Sequence, residues 1–265
     1  MTRFLAWVLI VVLSAAAPQV AAAQDGDPEA QILPLQEITP NASFREEAKE
    51  APRKVPPRAP NDYVSLPQYE TLVRNAIRAR PKNFDFGALR SYYTLVPQYD
   101  PLGDTARREI LDLAYKIQND PDPAVRKDAF DKYGALVSAH LANIDVISQA
   151  LVLSREDKIF GDPKFFDYMR SGLLRNIVTS GDGRSLVGAY DAVTLGEETA
   201  LLKALRLRLL RSEPRESGGV YYNMLEVQAG DAYDPYWIFV DVTKPMVFLE
   251  RQRQNAENVF AIPRQ

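Results

Sequence analysis

The sequence predicts an α+β domain in which several helices come first and a small antiparallel sheet follows. Between residues 63 and 180, apolar side chains recur at three- and four-residue spacing, the pattern of amphipathic helices. Between residues 185 and 253, runs rich in β-branched and aromatic residues are separated by glycine-containing turns. Helices followed by strands, rather than an alternation of the two, indicate the α+β class.

The helical part is predicted to be an antiparallel bundle, because its helices are joined by short loops. Pro81 ends the first helix, and Asp104 or Thr105 caps a later one. Asp122 and Asp162 are each followed by a proline, which suits the first turn of a helix. The amphipathic segments are 66–80, 103–120, 120–141, 143–157 and 162–180, with a short helix around Arg90, Tyr92 and Tyr93. After Asp122 the predicted buried stripe is Val125, Ala129, Tyr133, Leu136, Val137 and His140.

Four segments of the last third are predicted to be strands. Their sequences are "SLVGAYDAVT" (185–194), "LRLRLLRSE" (205–213), "GVYYNMLEVQ" (219–228) and "YWIFVDVT" (236–243). The alternation of Leu and Arg in the second predicts a strand with one wet face. A short helix is predicted over 196–206, and a closing helix with Thr243 as its cap and Pro245 in its first turn.

The first 23 residues have the pattern of a secretory signal peptide. Arg3 gives a positive start, residues 4–17 form an uncharged apolar run, and Pro18 breaks it before small alanines. We expect cleavage between Ala23 and Gln24, or within two residues of that point, and a periplasmic or secreted protein. A membrane anchor is the alternative, but the run is shorter than the roughly 20 apolar residues that span a bilayer. No transmembrane anchor is therefore expected after signal removal.

The rest of the chain divides into a tether and one domain. Residues 24–62 are rich in proline and charge, which predicts a disordered tether. Residues 63–265 form the predicted α+β domain, with a helical part over about 63–180 and a sheet part over about 185–253.

Composition excludes several classes of function. Signal removal takes away Arg3 and no acid, so 31 basic residues face 35 acidic ones and the formal charge is −4. An acidic surface is a poor partner for phosphate backbones, and we expect no nucleic acid. The chain has no cysteine and one histidine, His140, which is expected to be a packing residue. Thiolate chemistry, a zinc hydrolase and a serine triad are thereby set aside, and no metal or cofactor is expected.

Aromatic turns are candidates for a binding site. Tyr-Asp-Pro occurs at 99–101 and 233–235, where it suits turns that connect elements. Tyrosines in these stretches exceed what turns require, and tyrosine is favoured in recognition surfaces. The candidate binding residues here are Arg90, Tyr93, Tyr99 and Tyr236.

The loop "SGDGRS" (180–185) is a second candidate, with Asp182 and Arg184 as its binding residues. Converging glycine N–H groups and an arginine would suit an anion. The structural alternative is a helix stop followed by a turn, with Gly181 or Gly183 at positive φ. Asp182, Asp191 and Asp241 are candidates for paired carboxylates of a hydrolase, although the sequence does not give their separation.

Several motifs together resemble an uncharacterised bacterial family of exported proteins that contains a domain of unknown function. They are "FDFGALRSYYTLVPQYDPLGD", "SGDGRSLVGAYDAV", "EETALLKALRLRLL", "GGVYYNMLEV" and "YWIFVDVTKPMVFL", in that order along the chain. The resemblance implies an exported α+β domain and brings no activity or catalytic residue.

Three functional hypotheses follow from the sequence, and one of them is a structural protein whose contacts are all with copies of itself. The leading one is a non-enzymatic module that binds a protein or a cell-wall component of the bacterial envelope. The alternative is a carboxylate-dependent hydrolase acting on envelope sugars or peptides, for which two carboxylates about 5 to 10 Å apart in a cleft would be needed. Oligomeric state is not indicated by any pattern.

Overall fold

Helices occupy the first part of the described chain, and the strands follow. The computed structural model describes residues 66–231 and 233–260. The predicted signal peptide, the cleavage point between Ala23 and Gln24, and the tether 24–62 lie outside these residues. The mixed α+β class predicted from the sequence is confirmed.

Local capping signals set the ends of the helices. The Asp122 and Asp162 carboxylates accept hydrogen bonds from the Ala124 and Lys164 N–H groups, with proline in the first turn as predicted. Asn143 caps a further helix in the same way. The helices are α1 Leu66–Ala79, α2 Phe86–Tyr93, α3 Thr105–Asn119, α4 Pro123–Ala139, α5 Ile144–Glu156 and α6 Pro163–Val178, with a short 3-10 helix, Lys158–Phe160, after α5.

The apolar stripes of the helices meet in one hydrophobic core. On α4 the stripe is shorter than predicted, because Val125 in the first turn is 38% exposed and burial begins at Ala129. His140 follows this helix and is buried, which agrees with the packing role expected for it.

The sheet has four strands in the order β1–β4–β3–β2. The strands are β1 Tyr190–Asp191, β2 Arg208–Ser217, β3 Val220–Gln228 and β4 Tyr236–Asp241. β2, β3 and β4 are antiparallel, but β1 pairs with β4 in parallel, so the prediction of a purely antiparallel sheet is wrong at this edge. Leu225 and Val227 of β3 and Ile238 and Val240 of β4 join the helical core.

The strand predicted over 185–194 is reduced to two residues. Gly183 has φ +69 and its N–H donates to the Gly188 carbonyl, which closes a turn before Tyr190. Backbone groups used inside this turn are not available for a ladder, and this is the physical reason for the shorter strand.

β2 is exposed on nearly all of its ten residues, so the prediction of one wet face is wrong. It lies at the open edge of the sheet, and its register shifts between Leu209 and Arg211, which leaves Leu210 as a β-bulge. Pro214 within the strand is typical of an edge, because proline cannot donate to a ladder.

Two helices complete the sheet part: α7 Gly196–Ala204 and α8 Thr243–Phe260. The predicted Thr243 cap is replaced by the Asp241 carboxylate, which accepts the Thr243 N–H at 2.8 Å. The Thr243 hydroxyl instead accepts the Tyr221 N–H at 3.0 Å and ties α8 to β3.

Candidate functional site

A buried arginine on α2 connects the helices to the sheet. The Arg90 guanidinium binds both carboxylate oxygens of Glu197, with Nη2 2.7 Å from Oε2, and their side chains are 3% and 0% exposed. Nη1 donates to the Asn176 side chain at 2.7 Å and Nη2 to the Asp191 carbonyl at 2.5 Å. Burial lowers the pKa of Arg90, and the Glu197 carboxylate more than offsets this, so the pKa is raised and the group stays charged.

Tyr93 lies at the centre of a second buried cluster. Its hydroxyl accepts the Asp100 N–H at 3.2 Å and lies 2.7 Å from His140 Nδ1. Burial raises the pKa of Tyr93 and lowers that of His140, so both groups are neutral at pH 7. The Tyr99 ring packs edge-on against Tyr93, and the Tyr99 hydroxyl donates to the Val193 carbonyl.

These contacts place three of the predicted binding residues in the interior. Arg90, Tyr93 and Tyr99 are all less than one tenth exposed. The first Tyr-Asp-Pro stabilises a turn, since the Asp100 carboxylate accepts hydrogen bonds from the N–H groups of Leu102 and Ala106. The structure therefore gives these residues a packing role. Their predicted role in binding stays a prediction, and their side chains have almost no surface that a ligand could reach.

The "SGDGRS" loop uses its own N–H groups internally. The Asp182 and Gly183 N–H groups donate to the Gly188 carbonyl, and the Arg184 N–H donates to the Asp182 carboxylate. A Cβ on Gly183 would lie 2.4 Å from the Tyr190 ring, so both the backbone and this close contact require glycine. The loop is a turn, and these three N–H groups are used within it.

Three of the candidates nevertheless affect the pKa of one tyrosine, Tyr190. Burial raises the pKa of the Tyr190 phenol, the Asp182 carboxylate and the Tyr236 phenol raise it further, and Arg184 opposes them. Asp182 and Arg184 are exposed, whereas Tyr236 is half-buried. Tyr190 itself was not predicted, because a buried tyrosine in a short strand carries no functional signal in the sequence.

Each of the three carboxylates predicted as candidates for a hydrolytic pair, Asp182, Asp191 and Asp241, interacts with another group of the protein. Asp191 and Asp241 are neighbours in the parallel register of β1 and β4. Asp191 forms an ion pair with Lys244, and Asp241 binds the Thr243 N–H. Asp182 holds the turn described above.

Asp145, in the first turn of α5, is a carboxylate that the sequence did not point to. It is half-buried, and burial together with Glu197 and Asp104 raises its pKa to about 6 against the opposing effect of Arg107 and Lys203. Its Oδ2 lies 2.6 Å and 1.8 Å from the positions that a Cβ would take on Gly103 and Gly196. These two glycines are brought to the carboxylate by the fold, so no local sequence pattern predicts the cluster.

The buried Thr194 hydroxyl lies beside the same glycines. Its Oγ1 is 3.5 Å from the position of a Cβ on Gly103 and has no hydrogen-bond partner in the described part of the chain. Asp145 and Thr194 thus form a small polar spot at the start of α7, packed against backbone.

The open edge of β2 is the accessible feature of the sheet. Leu209 and Leu210 are 45% and 43% exposed, and no described strand covers this edge. The Arg211 guanidinium lies 4.9 Å from the centre of the Trp237 ring and pairs with Glu213 and Glu226. The strand thus presents unpaired backbone groups beside an ordered row of charges, which is a template for an added strand.

No family model, curated protein or solved structure matches the chain. Within residues 66–231 and 233–260, no group of three or more His, Asp or Glu side chains is placed to hold a metal ion. No helix of the same residues is long and apolar enough to cross a bilayer.

Proposed function

We propose that the protein is an exported, non-enzymatic interaction module of the bacterial envelope, and that it binds by adding an extended protein segment to the open edge of β2. One observation carries the proposal: a ten-residue strand at the edge of the sheet is exposed almost throughout. Added strands gain affinity from main-chain hydrogen bonds and specificity from alternate side chains.

The side chains of β2 define the chemistry of the partner segment. Arg211, Glu213 and Arg215 share one face, because they are two residues apart on a strand. A segment that pairs with Arg211 and Glu213 carries an acidic side chain opposite the first and a basic one opposite the second, since opposite charges across strands stabilise pairing.

Export completes the proposal. Cleavage after Ala23 releases the chain, residues 24–62 act as a tether that holds the domain away from its neighbours, and helices α1–α6 form an antiparallel bundle that supports the sheet. The resemblance to an uncharacterised exported bacterial family supports the same compartment.

The test is photo-crosslinking in living cells with a photoreactive residue in place of Glu216 on β2. Pro214 is tolerated where its nitrogen faces away from β3, so we expect the Ser212 N–H, two residues before it, to face outwards as well. Ser212→Pro then removes an outward donor and leaves the ladder with β3 intact.

We expect a defined protein adduct at position 216 that disappears with Ser212→Pro. The matched position is Lys132 on α4, which is exposed and should give no adduct. Equal adducts at both positions, or an adduct that survives Ser212→Pro, would contradict binding through the edge.

A carboxylate-dependent hydrolase stays the second candidate, and Asp145 is the residue that favours it. A carboxylic acid with a pKa of about 6 is suited to general acid–base catalysis near neutral pH. Turnover of cell-wall glycans or peptides that is abolished by Asp145→Asn, with the fold retained, would support it. Absence of turnover in the parent chain would remove it.

A further inference from the structure

The charge pattern in the regular part of β2 is complementary to that of a second copy of the same strand. After the bulge at Leu210, the strand runs without interruption from Arg211 to Ser217. Arg211 and Glu213 flank Ser212, and both project on one face. A second copy of this strand, turned to run antiparallel, offers the same charges in reverse order.

Symmetry limits how two copies can pair. In a two-fold antiparallel pair one residue lies opposite itself, and its neighbours lie opposite each other in exchanged order. Centred on Ser212, the pair places Arg211 opposite Glu213 of the second copy, and Glu213 opposite Arg211. Centred on Arg211 or Glu213, it places like charges opposite each other, which is destabilising. Centred on Pro214, it loses the central N–H donors.

The backbone favours the same register. If the Ser212 N–H faces outwards, the two Ser212 residues exchange two hydrogen bonds at the centre of the pair. The flanking Arg211 and Glu213 then form non-hydrogen-bonded pairs, in which facing side chains come closest. Pro214 removes the next donor, so the contact is short and reversible.

Arg211 is already held in position for such a contact. Its guanidinium stacks on Trp237 and is 3.3 Å from a Glu226 oxygen on β3, yet 58% of its side chain is exposed. A side chain fixed in this way loses less conformational freedom when a partner binds than a free one does.

We infer that a second copy of this chain occupies the β2 edge, as an antiparallel pair centred on Ser212. The inference rests on the proposed function and names its partner. Arg211 and Glu213 decide the register. Among the four registers compared above, the one centred on Ser212 is the one that both pairs opposite charges and keeps the central backbone hydrogen bonds.

Charge exchange tests the register directly. The full chain, purified as the cell makes it, is followed by sedimentation velocity over a concentration series. We expect a reversible dimer whose dissociation constant rises at least about tenfold in Arg211→Glu and in Glu213→Arg. In a mixture of the two variants, the two acidic side chains of Arg211→Glu face the two basic side chains of Glu213→Arg. We therefore expect a heterodimer under conditions in which neither variant pairs with itself.

Three results would overturn the inference: a parent chain that is monomeric throughout, dimers unaffected by either reversal, or a mixture that stays monomeric. Lys127→Glu and Asp131→Lys, an exposed pair on α4, are the matched reversals and should leave the dimer unchanged. Circular dichroism and thermal melting verify that each variant is folded. If a charge-reversal variant does not fold, the double variant Arg211→Gln with Glu213→Gln is measured in its place.

A single engineered cysteine gives a second readout, because the chain has no cysteine of its own. Ser212→Cys lies opposite itself in this register, within disulfide reach, and should give a covalent dimer on mild oxidation. Ser217→Cys on the same strand should not, and equal linkage at both positions would contradict the register.

Failure of this inference is distinct from failure of the proposed function. A monomeric chain that still gives a Ser212→Pro-sensitive adduct with another protein at position 216 would reject self-pairing and keep the edge as a binding site. Absence of both dimer and adduct would reject both proposals.

Discussion

Two arginine–glutamate contacts in this protein have the same chemistry and opposite surroundings. Arg90 and Glu197 are 3% and 0% exposed, and their remaining hydrogen-bonding groups meet Asn176, Val193 and the Asp191 carbonyl. Arg211 and Glu213 are 58% and 32% exposed at the edge of the sheet. The buried pair is shielded from any ligand by its surroundings, whereas the exposed pair is accessible to one. Burial, more than residue type, decides which arginine can bind a partner.

The largest effect is expected from breaking the buried pair. Arg90→Ala leaves the Glu197 carboxylate without its charged partner in the interior and should lower the free energy of unfolding by about 3–5 kcal/mol. Chemical denaturation measures the loss. The double variant Arg90→Met with Glu197→Leu should lose clearly less, because no uncompensated charge remains. An equal loss in both would show that packing, rather than the ion pair, dominates there.

Asp145 sharpens the comparison from the opposite direction, because its removal should stabilise the protein. Its folded pKa of about 6 lies above the ordinary value of 3.8, so the folded state favours the protonated form. Its effect on stability is therefore most favourable at low pH, and is lost as the pH rises towards the folded pKa. Asp145→Asn should raise the free energy of unfolding by about 1–3 kcal/mol at neutral pH, and by little near pH 4.

The measurement for Asp145 is the difference in unfolding free energy between variant and parent across this pH window. His140 also titrates, and its lowered pKa makes folding less favourable as the pH falls through the ordinary value of 6.5. Taking the difference between variant and parent removes that contribution. Asp112→Asn, on the exposed face of α3, is the matched control variant.

Tyr93→Phe tests whether the second buried cluster is structural. The substitution leaves the Asp100 N–H and His140 Nδ1 without their partner, and we expect a loss of about 1–3 kcal/mol. Tyr233→Phe, at a tyrosine that is 66% exposed, is the control and should change stability little. A loss at Tyr233 as large as at Tyr93 would remove the contrast between interior and surface tyrosines.

The sequence predicted what depends on neighbouring residues. Asp122-Pro123 and Asp162-Pro163 start helices as expected, because a cap and its helix lie within a few residues of each other. The Arg90–Glu197 pair joins positions 107 residues apart, and nothing near either residue reveals it. The Leu–Arg alternation of β2 wrongly predicted a buried face, because periodicity does not tell an edge strand from a covered one. A tyrosine excess likewise does not distinguish core from surface, and Tyr93 and Tyr99 lie in the core.

The smallest effect on stability is expected at Arg211, and it separates the two regions most sharply. Arg211→Met keeps the aliphatic stem and removes the stacking of the guanidinium on Trp237 and its exposed ion pairs, so the free energy of unfolding should fall by no more than about 1 kcal/mol. Dimerisation should weaken far more than folding, because the same charge faces Glu213 of the second copy. Arg78→Met, at the exposed end of α1, is the matched control for both measurements. A large loss of stability with unchanged association would make Arg211 a residue of the fold, like Arg90, and would remove the distinction between the two arginines.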